Sequence, residues 1–270
     1  MTDLAALLEV ADRAVDQAAE LVTTMSLGKV TAKGDRDTVS EIDLAVEEKL
    51  RTFLLAETPE IGFLGEEHGA SNEAGGALTW SLGPVDSTAN LVNGMPLCGV
   101  SLGLVEGNRS VLGVIDLPFL GERYRGAAGQ GAFRGEERIS PRRTTSLKDA
   151  IVAIGDYAVG HNAENRNAPR LALTNLLATR AMRVRMLGSA ATDLAWVAAD
   201  RLDASIALSN HLWDTAAGTA IAREAGARVV DWDGTPHTAM STATVVCAPS
   251  IADEVARIVK AAHEEGFELF

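Results

Sequence analysis

Apolar side chains recur every three or four residues at Leu4, Leu7, Leu8, Ala11, Val15, Ala18 and Val22, the spacing of one buried helical face. The pattern predicts a first helix ending near Gly28. The polar stretch Lys33-Gly-Asp-Arg-Asp-Thr-Val39 then reads as a loop. Ser40-Glu-Ile-Asp43 is a variant capping box, an N-cap Ser with an acid three residues on, and Ile42, Val46, Leu50 and Phe53 give the helix behind it an inner face.

From Ile61 the period changes. Ile61-Gly-Phe-Leu-Gly65 reads as a short strand running into the acidic loop Glu66-Glu67-His68-Gly69. The runs 99–106 and 110–116, joined by Gly107-Asn108, predict a hairpin, and 123–135 two shorter strands with glycine turns. A second series starts near Ala150: strand 151–154, helix 169–179 opened by Pro169, strand 181–187, helix 189–201 and strand 204–208. Helix 214–225 is stopped by Gly226; strands 227–232 and 243–248 and a helix at 251–264 follow. Two halves, 1–149 and 150–270, are expected, with helices and sheets in stacked layers.

The chain has 270 residues and a net charge of −13, which argues against nucleic-acid partners, because these require a surplus of Lys and Arg. An acidic chain still binds phosphorylated metabolites where metal ions supply the positive charge. Cys98 and Cys247 lie in apolar runs and read as buried, reduced thiols. The opening residues carry an early acid and no basic stretch, unlike a signal peptide, and no apolar run approaches the ~18 residues that span a membrane. A cytoplasmic protein without membrane partners is expected.

Three acidic sites stand out by position. Glu66 and Glu67 follow a strand, Asp86 follows Pro84 in Trp80-Ser-Leu-Gly-Pro-Val-Asp-Ser-Thr-Ala-Asn90, and Asp214 follows Trp213. Each has an ordinary explanation: a solvated loop, a structural turn and a helix N-cap respectively. Strand ends and helix starts are nonetheless where several segments can aim carboxylates at one point, and hard cations such as Mg²⁺ take oxygen ligands.

The ordered motifs Lys33–Asp43, Gly65-Glu66-Glu67-His-Gly, Pro84-Val85-Asp86-Ser87-Thr88-Ala-Asn90, Gly188-Ser189-Ala-Ala and Trp213-Asp214-Thr-Ala-Ala-Gly218 resemble the inositol monophosphatase family, Mg²⁺-dependent and lithium-sensitive phosphatases. The resemblance covers about the whole chain. It implies an α+β fold, the layered α-β-α-β-α sandwich of the inositol monophosphatase/fructose-1,6-bisphosphatase type, commonly a homodimer. It implies a small phosphorylated metabolite as substrate, inositol monophosphate or a related polyol or sugar phosphate. Glu66, Asp86, Asp214 and the Val85 carbonyl become expected Mg²⁺ ligands. Asp43 and Thr88 are expected to orient and deprotonate the metal-bound water. Ser87, Thr88, Gly188, Ser189, Asn210 and Asp214 are expected around phosphate and substrate.

The chain departs from the family pattern Asp-Pro-[Ile/Leu/Val]-Asp-Gly-Thr at two positions. Gly83 stands where the first Asp bridges two metals, and Ser87 where Gly contacts phosphate. A loss of ~3–4 kcal/mol of charge stabilisation would slow the reaction roughly 10²–10³-fold, so a non-hydrolytic binding role or an altered reaction is the alternative. Glu67 is a candidate replacement ligand, although neighbours in extended chain point to opposite sides. A third departure is Ala207, where inositol phosphatases carry an acid; Asn210 or His211 is the nearest polar substitute.

Overall fold

The computed structural model describes residues 3–71 and 77–268. Helix α1 (Leu4–Thr24) opens on Asp3, whose carboxylate accepts from the Ala5 and Ala6 N–H groups. It ends ahead of Gly28. The expected polar loop is instead an antiparallel hairpin, β1 (Val30–Gly34) and β2 (Asp37–Ser40), turning through Arg36 at φ 57°. All of β1 is exposed, so no alternation of apolar residues announces it. Helix α2 (Glu41–Glu57) begins with the capping box read from sequence: Ser40 Oγ accepts from Ile42 N, and Asp43 accepts from Ser40 N at 2.9 Å.

The strands β3 (Gly62–Gly65), β4 (Gly69–Ser71) and β5 (Leu78–Asp86) precede a short helix α3 (Thr88–Val92). Then come β6 (Gly99–Glu106), β7 (Arg109–Leu117), β8 (Glu122–Ala127), β9 (Gly131–Arg134) and β10 (Glu137–Arg138). They form one eight-stranded sheet in the order β10-β9-β8-β7-β6-β5-β3-β4, antiparallel except for the parallel pair β3/β5. β5 is a nine-residue strand where the sequence suggests mostly turn. It is paired on both sides, and its pairing with β6 shifts register between Gly83 and Asp86, so Pro84 sits where the ladder is already interrupted.

The second series is β11 (Ile151–Ile154), α4 (Ala163–Arg180), β12 (Arg183–Arg185), α5 (Ala190–Ala198), β13 (Ala204–Ala207), α6 (Leu212–Ala225), β14 (Arg228–Val230), β15 (Thr244–Cys247) and α7 (Ala252–Glu268). Its sheet has the order β12-β11-β13-β15-β14, parallel from β12 to β13 and antiparallel beyond. α4 begins at Ala163, not at Pro169. Pro is favoured at a helix start, but here it lies inside the helix and one backbone hydrogen bond is forgone.

Three hydrophobic clusters stack these elements. Val15, Val46 and Leu50 of α1 and α2 pack on Phe63, Leu82 and Leu102. On the opposite face, Leu194 and Ile221 of α5 and α6 lie between Ile115 and Tyr124 of the large sheet and Val246 of the small one. Leu173 and Leu177 of α4 and Val255 and Val259 of α7 cover the outer face of the small sheet, against Val152 and Val245. The result is the expected α+β sandwich of alternating helix and sheet layers. Cys98 and Cys247 are free and buried. No helix among the described residues is long and apolar enough to cross a membrane.

Candidate active site

The acidic turn after β3 is organised by a residue that the sequence does not advertise. Glu47, fully buried on α2, accepts from Glu67 N at 2.7 Å and His68 N at 2.8 Å, and its Oε1 lies 2.9 Å from His68 Nδ1. A Cβ on Gly65 would lie 2.4 Å from this carboxylate, so glycine alone lets the strand pass. The available sequence signal is an acid between Val46 and Leu50 on the apolar face of α2. Lys33, carried by the β1–β2 hairpin, donates to Glu66 Oε1 at 3.0 Å and Glu67 Oε1 at 2.6 Å. Burial raises the Glu66 carboxyl to about 7 against the lowering pull of Lys33.

At the end of β5, Ser87 takes the left-handed conformation, φ 78° and ψ 71°, which disfavours a side chain. Its Oγ accepts from Asn90 N at 3.3 Å and caps α3. The Thr88 hydroxyl donates to Asp43 Oδ1 at 2.6 Å, and Asp43 is fully buried. Asp86 Oδ2 accepts from Ser189 Oγ at 2.9 Å and from Ala191 N. Burial lifts the Asp86 carboxyl to about 6 despite these donors. The Asn90 amide donates to Leu97 O at 2.6 Å and Leu187 O at 2.8 Å, joining the turn to the segment that leads into Gly188.

Asp214 is the third residue of α6 rather than its cap, and its Oδ2 accepts from the N-cap residue His211 at 3.4 Å. Burial, followed by the charges of Asp86 and Glu66, holds its carboxyl well above the usual range. Gly83 faces the same helix start: a Cβ there would lie 3.1 Å from Trp213 O. The small residue and the close approach of α6 therefore go together.

A cavity of about 240 Å³ collects Glu66, Val85, Asp86, Ser87, Thr88, Gly188 and Asp214 from four separate segments. Asp43 stands behind Thr88 and Ser189 behind Asp86. Asn210 is not brought in, because its Nδ2 is directed to Ser241 O at 3.3 Å and it lines neither this cavity nor its neighbour. His211 is exposed and stacks on Trp213. Asp156 also lines the cavity and was not picked out in the sequence.

The donor set suits a hard cation. Glu66, Asp86 and Asp214 raise one another's pKa or are raised by burial, so a divalent ion among them would relieve both effects. Among the described residues no group of three or more acidic, imidazole or thiol side chains is gathered closely enough to hold a metal ion by itself; Mg²⁺ characteristically takes one or two carboxylates together with waters and substrate phosphate.

Residues 3–264 match the model of the inositol monophosphatase family. The chain is 34% identical over 228 residues to inositol-1-monophosphatase ImpA of Mycolicibacterium smegmatis, covering 84% of this chain and 82% of that protein. It is 30% identical over 220 residues to the Nus factor SuhB of Haemophilus influenzae, covering 82% and 81%. Its fold matches the inositol monophosphatase structure from Anabaena (Nostoc) with a TM-score of 0.85 at 29% identity, over 96% of this chain and 97% of that one. The chain belongs to the inositol monophosphatase family and is a phosphoric monoester hydrolase by that membership.

Proposed function

We propose that this chain is a Mg²⁺-dependent phosphomonoesterase acting on a small phosphorylated metabolite, in the class of polyol and sugar phosphates. The observation that carries the reading is the pairing of Thr88 with Asp43 at the edge of a cavity lined by Glu66, Asp86 and Asp214. Glu66, Asp86, Asp214 and the Val85 carbonyl would hold the metal. Mg²⁺ bound there neutralises charge on the phosphoryl oxygens and lowers the pKa of the attacking water. Thr88, with its own proton committed to Asp43, presents its lone pairs to that water, and Asp43 accepts the proton through this contact. The N–H groups of Ser87 and Thr88, with Gly188 on the same cavity, would receive the phosphate, while Ser189 steadies Asp86 from behind.

Gly83 supports a second reading, a binding protein of the same fold with hydrolysis impaired, because it leaves the site one carboxylate short. Phosphate release over a panel of phosphomonoesters, with and without Mg²⁺, separates the two. Mg²⁺-dependent turnover that falls at least 10²-fold in Thr88→Ala, with the circular dichroism unchanged, supports the hydrolase. No turnover by the unmodified chain on any ester sinks it. The same family reading carries a homodimer and a cytoplasmic location, tested by sedimentation velocity and by cell fractionation.

A further inference from the structure

The far end of α6 carries charged groups that the acidic cavity does not use. A separate cavity, of about 380 Å³, is walled by Asn108 and Arg109 at the tip of the β6–β7 hairpin, by Arg223 on the last turn of α6, and by Val229, Pro236 and His237. It shares no residue with the cavity that holds Asp86 and Asp214. Backbone hydrogen bonds hold its walls in place: Ala239 N donates to Asn108 O at 2.8 Å, and Val230 bridges to Pro236.

In a chain of net charge −13, this lining holds two arginines and no carboxylate. Among the described residues neither arginine forms an ion pair, although Glu106 stands opposite Arg109 across the hairpin. Arg223 Nη2 donates to His237 O at 2.6 Å, while Nη1 is buried without an acceptor. Burial, followed by the charge of Arg109, lowers the pKa of Arg223. His237 is 5% exposed; its Nε2 lies 2.9 Å from Thr244 Oγ1, and its Nδ1 has no partner. Asp231, the carboxylate whose charge His237 feels, is already bonded through Oδ1 to Trp232 N and Ala243 N. Buried donors left without an acceptor are costly, and charged ones more so. An anion would relieve the repulsion between the arginines and supply the missing acceptors.

We propose that this cavity is a second phosphate-binding site, remote from the acidic one, with the phosphate group held by Arg109 and Arg223 and by His237 Nδ1. Two guanidinium groups match the double charge of phosphate better than the single charge of a carboxylate, and their planar forks donate in pairs to its oxygens. With the Thr244 hydroxyl donating to Nε2, Nδ1 carries the ring hydrogen and donates as well. The walls at Val229 and Pro236 leave room for the organic part of a phosphate monoester, so free phosphate and an ester are the two sources. Calorimetry and thermal shift in metal-free buffer read the site apart from the acidic cavity, whose carboxylates repel anions when no cation is bound. The probes are inorganic phosphate, phenyl phosphate and succinate. One equivalent of phosphate is expected to bind with a Kd of about 1 mM or tighter. Arg223→Gln and Arg109→Gln should each weaken it at least about tenfold, and Thr88→Ala should leave it unchanged. Arg109 is exposed, so its variant decides the matter if Arg223→Gln does not fold. Tighter binding of phenyl phosphate assigns the site to an ester, and equal or weaker binding assigns it to free phosphate. The proposal is overturned by the absence of saturable phosphate binding, by succinate binding as tightly as phosphate, by binding that survives both arginine substitutions, or by binding lost in Thr88→Ala.

Discussion

The Thr88 hydroxyl donates to Asp43 Oδ1 at 2.6 Å although 45 residues separate them. The contact joins the capping box of α2 to the turn after β5. Asp43 serves both roles, since the same carboxylate accepts from Ser40 N. The first turn of α2 and the turn that offers Thr88 are therefore positioned together. Three tests concern residues around the acidic cavity and a fourth concerns a buried histidine elsewhere in the fold.

Lys33 holds Glu66 and Glu67 where a divalent cation is expected to bind. Burial works against its charge, but the two glutamates outweigh this and raise its pKa. Lys33→Met should lower the Mg²⁺ concentration for half-maximal binding several-fold, because the ion no longer competes with an ammonium group. It should also lower the melting temperature in EDTA, since two carboxylates lose their partner. Titration followed by thermal shift reads both effects; an unchanged Mg²⁺ midpoint would count against competition.

Ser87 is held at φ 78° while its hydroxyl caps α3. Strain at such a position costs a non-glycine residue ~1–2 kcal/mol, against a few tenths for exchanging the cap for glycine and ~0.5–1 kcal/mol of glycine's extra chain entropy. Ser87→Gly is expected to raise unfolding free energy by about 0.5 kcal/mol. Ser87→Ala, which keeps the strain and loses the cap, should lower it by about 1 kcal/mol. Urea denaturation distinguishes opposite signs from a shared one.

Gly83→Asp would place a Cβ 3.1 Å from Trp213 O and bring a further carboxylate to the start of α6, where Asp214 lies. In EDTA the variant should be less stable by about 1–3 kcal/mol, from crowding and charge together. Mg²⁺ should reverse the order, raising the variant's melting temperature more than that of the unmodified chain. A variant that Mg²⁺ stabilises no more than the parent would show that position 83 does not reach the ion.

His237 is buried, with Nε2 2.9 Å from Thr244 Oγ1, and burial lowers its pKa to about 4. The unfolded chain takes up this proton near pH 6.5 and the folded chain only near 4. The contribution is therefore fully present above pH 6.5 and is lost as pH falls from there toward 4, on the order of 3 kcal/mol in all. The difference in unfolding free energy between the parent and His237→Gln should shrink over that window. A difference independent of pH would assign His237 no part in acid sensitivity.

The layers were legible because α1 and α2 each bury one apolar face, and the paired runs 99–106 and 110–116 are buried on both faces and so read as nearly continuous apolar stretches. The hairpin carrying Lys33 was not, since a strand exposed along its length has no pattern to show. Pro169 misplaced the start of α4 because a proline inside a helix looks the same in sequence as one at its beginning. Glu66, Asp86, Thr88 and Asp214 were nominated through ordered motifs rather than spacing, and the fold brings the four to one cavity. Glu47 escaped because it stands beside a second acid, Glu48, and the apolar period alone does not say which of the two is buried; only the fold supplies the N–H groups that face it. Asn210 was nominated for its nearness in sequence to Trp213, and its amide turns the other way.

β5 runs from Trp80, fully buried and bonded through Nε1 to Thr58, out to Asp86 in the cavity. The cavity end of the chain is thus tied to a buried strand, whereas Lys33 rides on an exposed hairpin, which is expected to open earlier. Warming should therefore dismantle the protein in a fixed sequence: the Lys33 ion pairs with Glu66 and Glu67 loosen while the framework still stands, and these carboxylates are released before the fold is lost.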